Sequence, residues 1–165
     1  MTFLLKAVKV FQMYLSLLIT GSCPSNWKPY NGFCYRVYTT IKSFNDAQTY
    51  CHGQGGSLVK IGSNQENDFV LALVRKTDSS LDEYWIGLKW DSSVSKYFWR
   101  DDSLMVYSNW IPSEPPSDKN RYPCIVAATK NLSNTSWREV SGGWSGRECG
   151  LLQNIKTGFV CEKVM

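Results

Sequence analysis

Histidine is nearly absent: His52 is the single one in a chain of 165 residues. Histidine-rich zinc sites and the His-Glu-x-x-His helix are therefore excluded, and a Ser-His or Cys-His nucleophile pair would have to use His52. No two cysteines have C-x-x-C spacing. That removes zinc-ribbon and thioredoxin-type redox chemistry. There is no run of lysine or arginine, so the electrostatic footprint of a nucleic-acid binder is missing. Gly-x-Ser-x-Gly and P-loop motifs are also missing, as are internal repeats and low-complexity tracts. Beyond the amino terminus no apolar run approaches the ~20 residues of a membrane span.

What is present is a globular composition. Hydrophobic residues make up 43%, charged residues 19% and aromatics 14%, with seven Trp, which excludes a disordered chain or a coiled coil. The length suits one domain with a real core. The first residues are a separate element. Lys6 and Lys9 supply positive charge, residues 10–19 form a mainly apolar run, and Thr20 and Ser22 are small residues at the −3 and −1 positions of a cut before Cys23. This is the layout of a secretory signal peptide over residues 1–22. The apolar run is about half the length of a spanning helix and contains Gln12, which argues against an anchor. Without those two lysines the formal charge falls from +4 to about +2, close to balance.

All six cysteines (Cys23, Cys34, Cys51, Cys124, Cys149 and Cys161) follow the proposed cut. An even number in an exported chain implies a disulfide framework, although six cysteines allow 15 pairings and spacing cannot choose among them. Asn131 and Asn134 each begin an N-glycosylation sequon, consistent with a glycosylated loop on a secreted protein.

Two helices are expected, then strands. Ser43 is placed to cap a helix with Asp46 in its first turn, Phe44, Ala47 and Cys51 on its buried face, and Gly53, Gly55 and Gly56 at its end. Ser63 and Glu66 stand in capping-box register before an apolar stripe of Phe69, Val70, Leu73 and Val74. Short runs rich in aromatic and β-branched residues at 33–38, 84–88, 97–100, 124–128, 136–140 and 159–162 read as strands. Helices followed by strands indicate α+β rather than alternating βαβ. Residues 101–123 show little regular signal, but Trp110 and Ile111 within them argue for an ordered, functional loop.

The order and spacing of several motifs over residues 23–162 resemble the C-type lectin-like domain family in its long, six-cysteine form. They are Cys23-Pro24-Ser25-Asn26-Trp27 with Gly32-Phe33-Cys34-Tyr35, Gly56-Ser57-Leu58-Val59, Trp85-Ile86-Gly87-Leu88, Phe98-Trp99-Arg100-Asp101-Asp102-Ser103 followed by Trp110, and Phe159-Val160-Cys161-Glu162. The resemblance implies an α+β fold over residues 23–165, with two helices packed on small antiparallel sheets and a long loop region. It also implies bridges Cys23–Cys34, Cys51–Cys161 and Cys124–Cys149, which makes every cysteine structural and leaves no spare thiol for a covalent dimer. A non-covalent dimer stays open.

Sugar-binding members of the family hold calcium through oxygen ligands: a Glu-Pro-Asn or Gln-Pro-Asp triplet, a Glu two residues before a late cysteine, and Trp-Asn-Asp. This chain has Glu114-Pro115-Pro116, Tyr122 before Cys124, and Trp144-Ser145-Gly146. Glu114 and the cis-type Pro115 remain, while the other oxygen donors are replaced. Calcium takes six to eight oxygens, so it is disfavoured and no cofactor is expected. Asp101, Asp102, Asp118, Glu139 and Glu148 are the acids available for any substitute site.

The expected function is that of a secreted lectin-like recognition protein, not an enzyme, with a glycan or glycoprotein as partner. The candidate ligand residues on the long-loop face are Glu114, Pro115, Tyr107, Tyr122 and Ser145, with Trp110 and Trp144 as further stacking candidates that the family places in the core. The alternative is a calcium-independent protein-binding module of inhibitor, venom or receptor-ligand type. His52 is expected to be an exposed helix-end residue.

Overall fold

The computed structural model describes residues 21–130, 141–151 and 154–165. Residues 1–20 of the leader expected over 1–22, the strand expected at 136–140 and the sequons at Asn131 and Asn134 lie outside the described residues. Elements run β1 (Lys28–Tyr30), β2 (Phe33–Tyr38), α1 (Phe44–Gly53), β3 (Ser57–Leu58), α2 (Asn64–Thr77), β4 (Glu83–Asp91), β5 (Lys96–Trp99), β6 (Cys124–Ala128), β7 (Trp144–Arg147) and β8 (Thr157–Val164).

Both helices begin where the caps place them. The Asp46 N–H donates to Ser43 Oγ at 3.2 Å, and the Glu66 N–H donates to Ser63 Oγ at 3.2 Å. Each serine thereby satisfies one of the unpaired first-turn donors. Helix α1 ends at Gly53, and Gly55 takes the left-handed φ of +75° that turns the chain out of it. His52 is exposed in the last turn of α1, where it is a hydrogen-bond partner of Gln48. The buried face of α2 is Asn67, Val70, Leu71 and Val74, with Phe69 and Leu73 at its margin. Asn67 is stable in the interior because it is bonded: its Oδ1 accepts from Trp144 Nε1 at 3.0 Å and its amide donates to the Gly142 carbonyl at 3.2 Å.

The strands join into one sheet in the order β1-β2-β8-β4-β6-β7, with β3 on β8 and β5 on β4. This α+β arrangement matches the expected class, but the sheets are continuous, because β4 and β8 pair parallel through Glu83–Thr157, Tyr84–Gly158 and Trp85–Phe159. Strand β7 is only four residues long and contains a glycine, so it makes no run that reads as a strand; it is held by antiparallel pairing with β6. Three disulfides form: Cys23–Cys34, Cys51–Cys161 and Cys124–Cys149. The long loop is ordered by its apolar anchors. Ile111 N–H donates to the Trp144 carbonyl at 3.1 Å, Trp144 N–H donates to the Asn109 carbonyl at 2.8 Å, and Ile111 is buried.

Carboxylates gather where β3, α2 and β8 meet. Tyr35 Oη donates to Glu66 Oε1 at 2.5 Å, the Gly62 N–H donates to Glu66 Oε2 at 2.8 Å, and the Lys60 N–H donates to Glu162 Oε1 at 3.0 Å. Burial pushes the Glu162 carboxyl from its ordinary 4.5 up to about 8, with Glu66 and Asp101 adding repulsion and the Lys60 N–H opposing. Because the folded value is raised, the stabilisation from protonated Glu162 is complete below 4.5 and is lost as pH rises through about 8. The expected result is that Glu162→Gln flattens the fall in melting temperature between about pH 5 and about pH 9. Parallel melting profiles for the two proteins across that range would refute it.

Candidate functional site

The motif Glu114-Pro115-Pro116 closes the long loop against β7. The Glu114–Pro115 peptide bond is cis, and the Gly146 N–H donates to Glu114 Oε2 at 3.3 Å. The Pro116 ring lies against bare backbone at Gly146. A Cβ on Gly146 would sit 2.5 Å from Pro116 Cγ and 2.8 Å from the Tyr122 carbonyl oxygen. These distances are too short for any side chain, so Gly146 is required by the close approach.

A cleft of about 620 Å³ opens beside this contact, lined by Ile111, Pro112, Glu114, Pro116, Tyr122, Arg147 and Ile155 among others. That volume falls within the range of small-ligand pockets, roughly 300–1,000 Å³. Glu83 on β4 and Arg147 on β7 form one wall. Arg147 Nη2 lies 2.9 Å from Glu83 Oε2, Thr157 Oγ1 donates to Glu83 Oε1 at 3.1 Å, and the Glu83 side chain is only 3% exposed. The Arg121 guanidinium stands over the Tyr122 ring at 5.2 Å and bonds Glu148 at 3.2 Å.

The structure brings Glu114 and Tyr122 into one cleft and leaves the other expected contacts elsewhere. Tyr107 does not line it. Its ring packs edge-on against Trp144 at 5.5 Å, its hydroxyl donates to Asn64 Oδ1 at 3.4 Å, and burial raises its ionisation above the ordinary phenol. Ser145 is corrected: at 2% exposed it is paired with Val126 inside the β6–β7 ladder, so a ligand on the loop face cannot reach it. Trp144 is likewise removed as a stacking platform, being fully buried with Trp99, Tyr107 and Trp110 around it. Pro115 is half-buried beside the cis bond, outside the cleft lining. The sequence reading missed Arg147 and Glu83, which sit 64 residues apart with no local pattern joining them.

The donor set does not fit a calcium ion. Where six to eight oxygens are needed, the loop offers the Glu114 carboxylate beside a pyrrolidine ring packed on glycine. The other acids are engaged or apart. Asp101 pairs with Lys60 at 2.9 Å and Glu148 with Arg121, Asp118 is exposed at the cleft rim, and Glu139 lies outside the described residues.

Comparison with known proteins agrees with this architecture. Residues 40–163 match the family described as Lectin C-type domain. The chain is 36% identical over 153 residues to one chain of the snaclec coagulation factor IX/factor X-binding protein of Trimeresurus stejnegeri, with 89% of each covered. It is 30% identical over 144 residues to C-type lectin domain family 4 member G of Mus musculus, where it spans 42% of the relative's length. Among solved structures it is similar to a Ca2+-independent C-type lectin, SPL-2, from Saxidomus purpuratus. The TM-score is 0.69 and the identity 26%, with 86% of this chain and 93% of the other covered.

Proposed function

The chain belongs to the C-type lectin domain family, and from that premise we propose that it is a secreted recognition module, not a catalyst, that binds a glycan on its long-loop face without calcium. The observation that supports this reading is the Pro116 ring seated on Gly146: neither residue has a side-chain oxygen, at the two positions where the resemblance implies one in calcium-holding members. Glu114 keeps its role as a hydrogen-bond acceptor beside a cleft whose Tyr122 ring offers an aromatic face. The lectin neighbour described as Ca2+-independent is consistent with it. Residues 1–22 would be removed on export, and the glycans would sit at Asn131 or Asn134.

A protein ligand is the second reading. It is favoured by the apolar walls Ile111, Pro112, Pro116 and Ile155 and by a relative described as a coagulation factor-binding protein. Since the six cysteines pair internally, association with a second chain would be non-covalent.

A glycan array run with calcium and with chelator tests the proposal. Saturable binding of equal strength in both, weakened by Glu114→Ala, is the expected outcome, with a melting temperature that calcium does not move. A rise of several degrees in millimolar calcium would sink the calcium-free reading. A blank array beside a defined protein partner would favour the second.

A further inference from the structure

We propose a second binding site, on the outer face of the β4–β5 hairpin, for a saccharide residue that bears a carboxylate or sulfate. The site goes beyond the long-loop reading and shares no residue with it. Strand alternation builds it. Register pairs Trp90 with Tyr97 and Leu88 with Trp99, and Leu88, Tyr97 and Trp99 enter the core. Lys89 is paired with Phe98, so these two side chains share the opposite, outward face. A groove of about 600 Å³ lies there, lined by Lys89, Phe98, Arg100, Asp102 and Asn120 among others. Its volume falls within the range of small-ligand sites, roughly 300–1,000 Å³, and it is open to solvent.

The chemistry of the groove is that of an anionic sugar site. Phe98 is half-buried and presents a ring to the groove, and the electron-rich face of an aromatic ring suits the C–H face of a pyranose. Lys89 and Arg100 flank it, and among the described residues no salt bridge takes either cation. A guanidinium fork and an ammonium are the groups that hold carboxylate and sulfate oxygens. The groove also contains acids. Asp91 is already committed, with Oδ1 accepting from Ser93 N–H at 2.8 Å and Ser93 Oγ at 2.6 Å, and it faces Lys96 across the hairpin. Asp102 remains as an acceptor for sugar hydroxyls, and Asn120, whose Oδ1 accepts from Trp90 Nε1 at 3.2 Å, keeps its amide N–H groups to donate. Lys119 stands over the Trp90 ring at 5.3 Å. Among the charged residues lining the groove, Lys89 and Arg100 are the cations and Asp91 and Asp102 the acids, with Lys96 opposite Asp91 on the next strand, so an anionic group on the ligand would be held by the two cations that share the Phe98 face.

The test uses the full secreted chain on four probes: hyaluronate, dextran sulfate, neutral dextran and phosphatidylcholine vesicles containing phosphatidylserine. The proposal expects binding to hyaluronate, to dextran sulfate or to both, which also identifies the anion, and none to neutral dextran. Binding should weaken steeply between about 50 mM and about 500 mM salt. Lys89→Gln with Arg100→Gln should cost about tenfold or more, and Phe98→Ala a similar loss that Phe98→Tyr restores. Glu114→Ala should leave this binding unchanged, which separates its failure from that of the long-loop reading. Melting curves confirm that each variant is folded, and either single Gln variant replaces the pair if the pair is not. Binding to neither polyanion overturns the proposal. So does capture by vesicles alone, undiminished binding by Phe98→Ala, or undiminished binding by the cation variants.

Discussion

Replacing Cys51 and Cys161 together by alanine should cost about 4–5 kcal/mol, the largest loss from any of the three bridges. The bridge spans 110 residues and joins α1 to β8, and both sulfurs are fully buried. In the chain-entropy picture a cross-link stabilises by restricting the unfolded chain, and the restriction grows with the logarithm of the loop. The same relation gives about 3.5 kcal/mol for Cys124–Cys149 and about 3 kcal/mol for Cys23–Cys34. Their separations are 25 and 11 residues. A domain of this size has a total stability of only about 5–15 kcal/mol, so the Cys51/Cys161 variant should fold marginally at body temperature. Denaturant midpoints of the three double-alanine variants check the order. A Cys23/Cys34 variant as damaged as the Cys51/Cys161 variant would refute the loop-length account.

The second large effect is expected at Arg147. Its guanidinium is 2.9 Å from the Glu83 carboxylate, with Arg147 21% and Glu83 3% exposed in their side chains. Truncating one partner of a buried pair leaves the other charge in a poor solvent, and such variants lose about 3–5 kcal/mol. Arg147→Met should fall in that range. Replacing both partners, as Glu83→Leu with Arg147→Met, should recover a large part of the loss, because no buried charge then remains. Equilibrium unfolding of the two single variants and the double variant measures the coupling. A double variant no more stable than Arg147→Met would contradict this account. Both side chains also wall the long-loop cleft, so the same variants should change ligand affinity there.

The two helices were legible because their signals are local. Ser43 and Ser63 cap within three residues, and the apolar spacing after each repeats within a turn or two. The six strands read from aromatic and β-branched runs were legible on the same ground wherever the structure describes them. Strand β7 was not, because a lone Trp144 followed by Ser145, Gly146 and Arg147 makes no aromatic or β-branched run, and the segment is made a strand by β6 alongside it. That same pairing hides Ser145, a residue whose sequence position suggested an open site.

The candidate site divides in the same way. Sequence by itself determined the α+β class and the capped helices; the ordered motifs carried the resemblance to the family, and the cysteine pairing was what that resemblance implied. It also showed a proline and a glycine, which carry no side-chain oxygen, at two of the positions where the resemblance implies a calcium donor. Only the tertiary structure decided that Pro116 packs on Gly146, that Tyr107 packs on Trp144 outside the cleft lining, and that Glu83 meets Arg147 across 64 residues. It also placed Lys89, Phe98 and Arg100 around one groove. The physical reason is range. Caps and periodicity act over a few residues and leave a trace in the string, whereas a contact between distant strands depends on which neighbours bury which face, and that is settled when the sheet assembles.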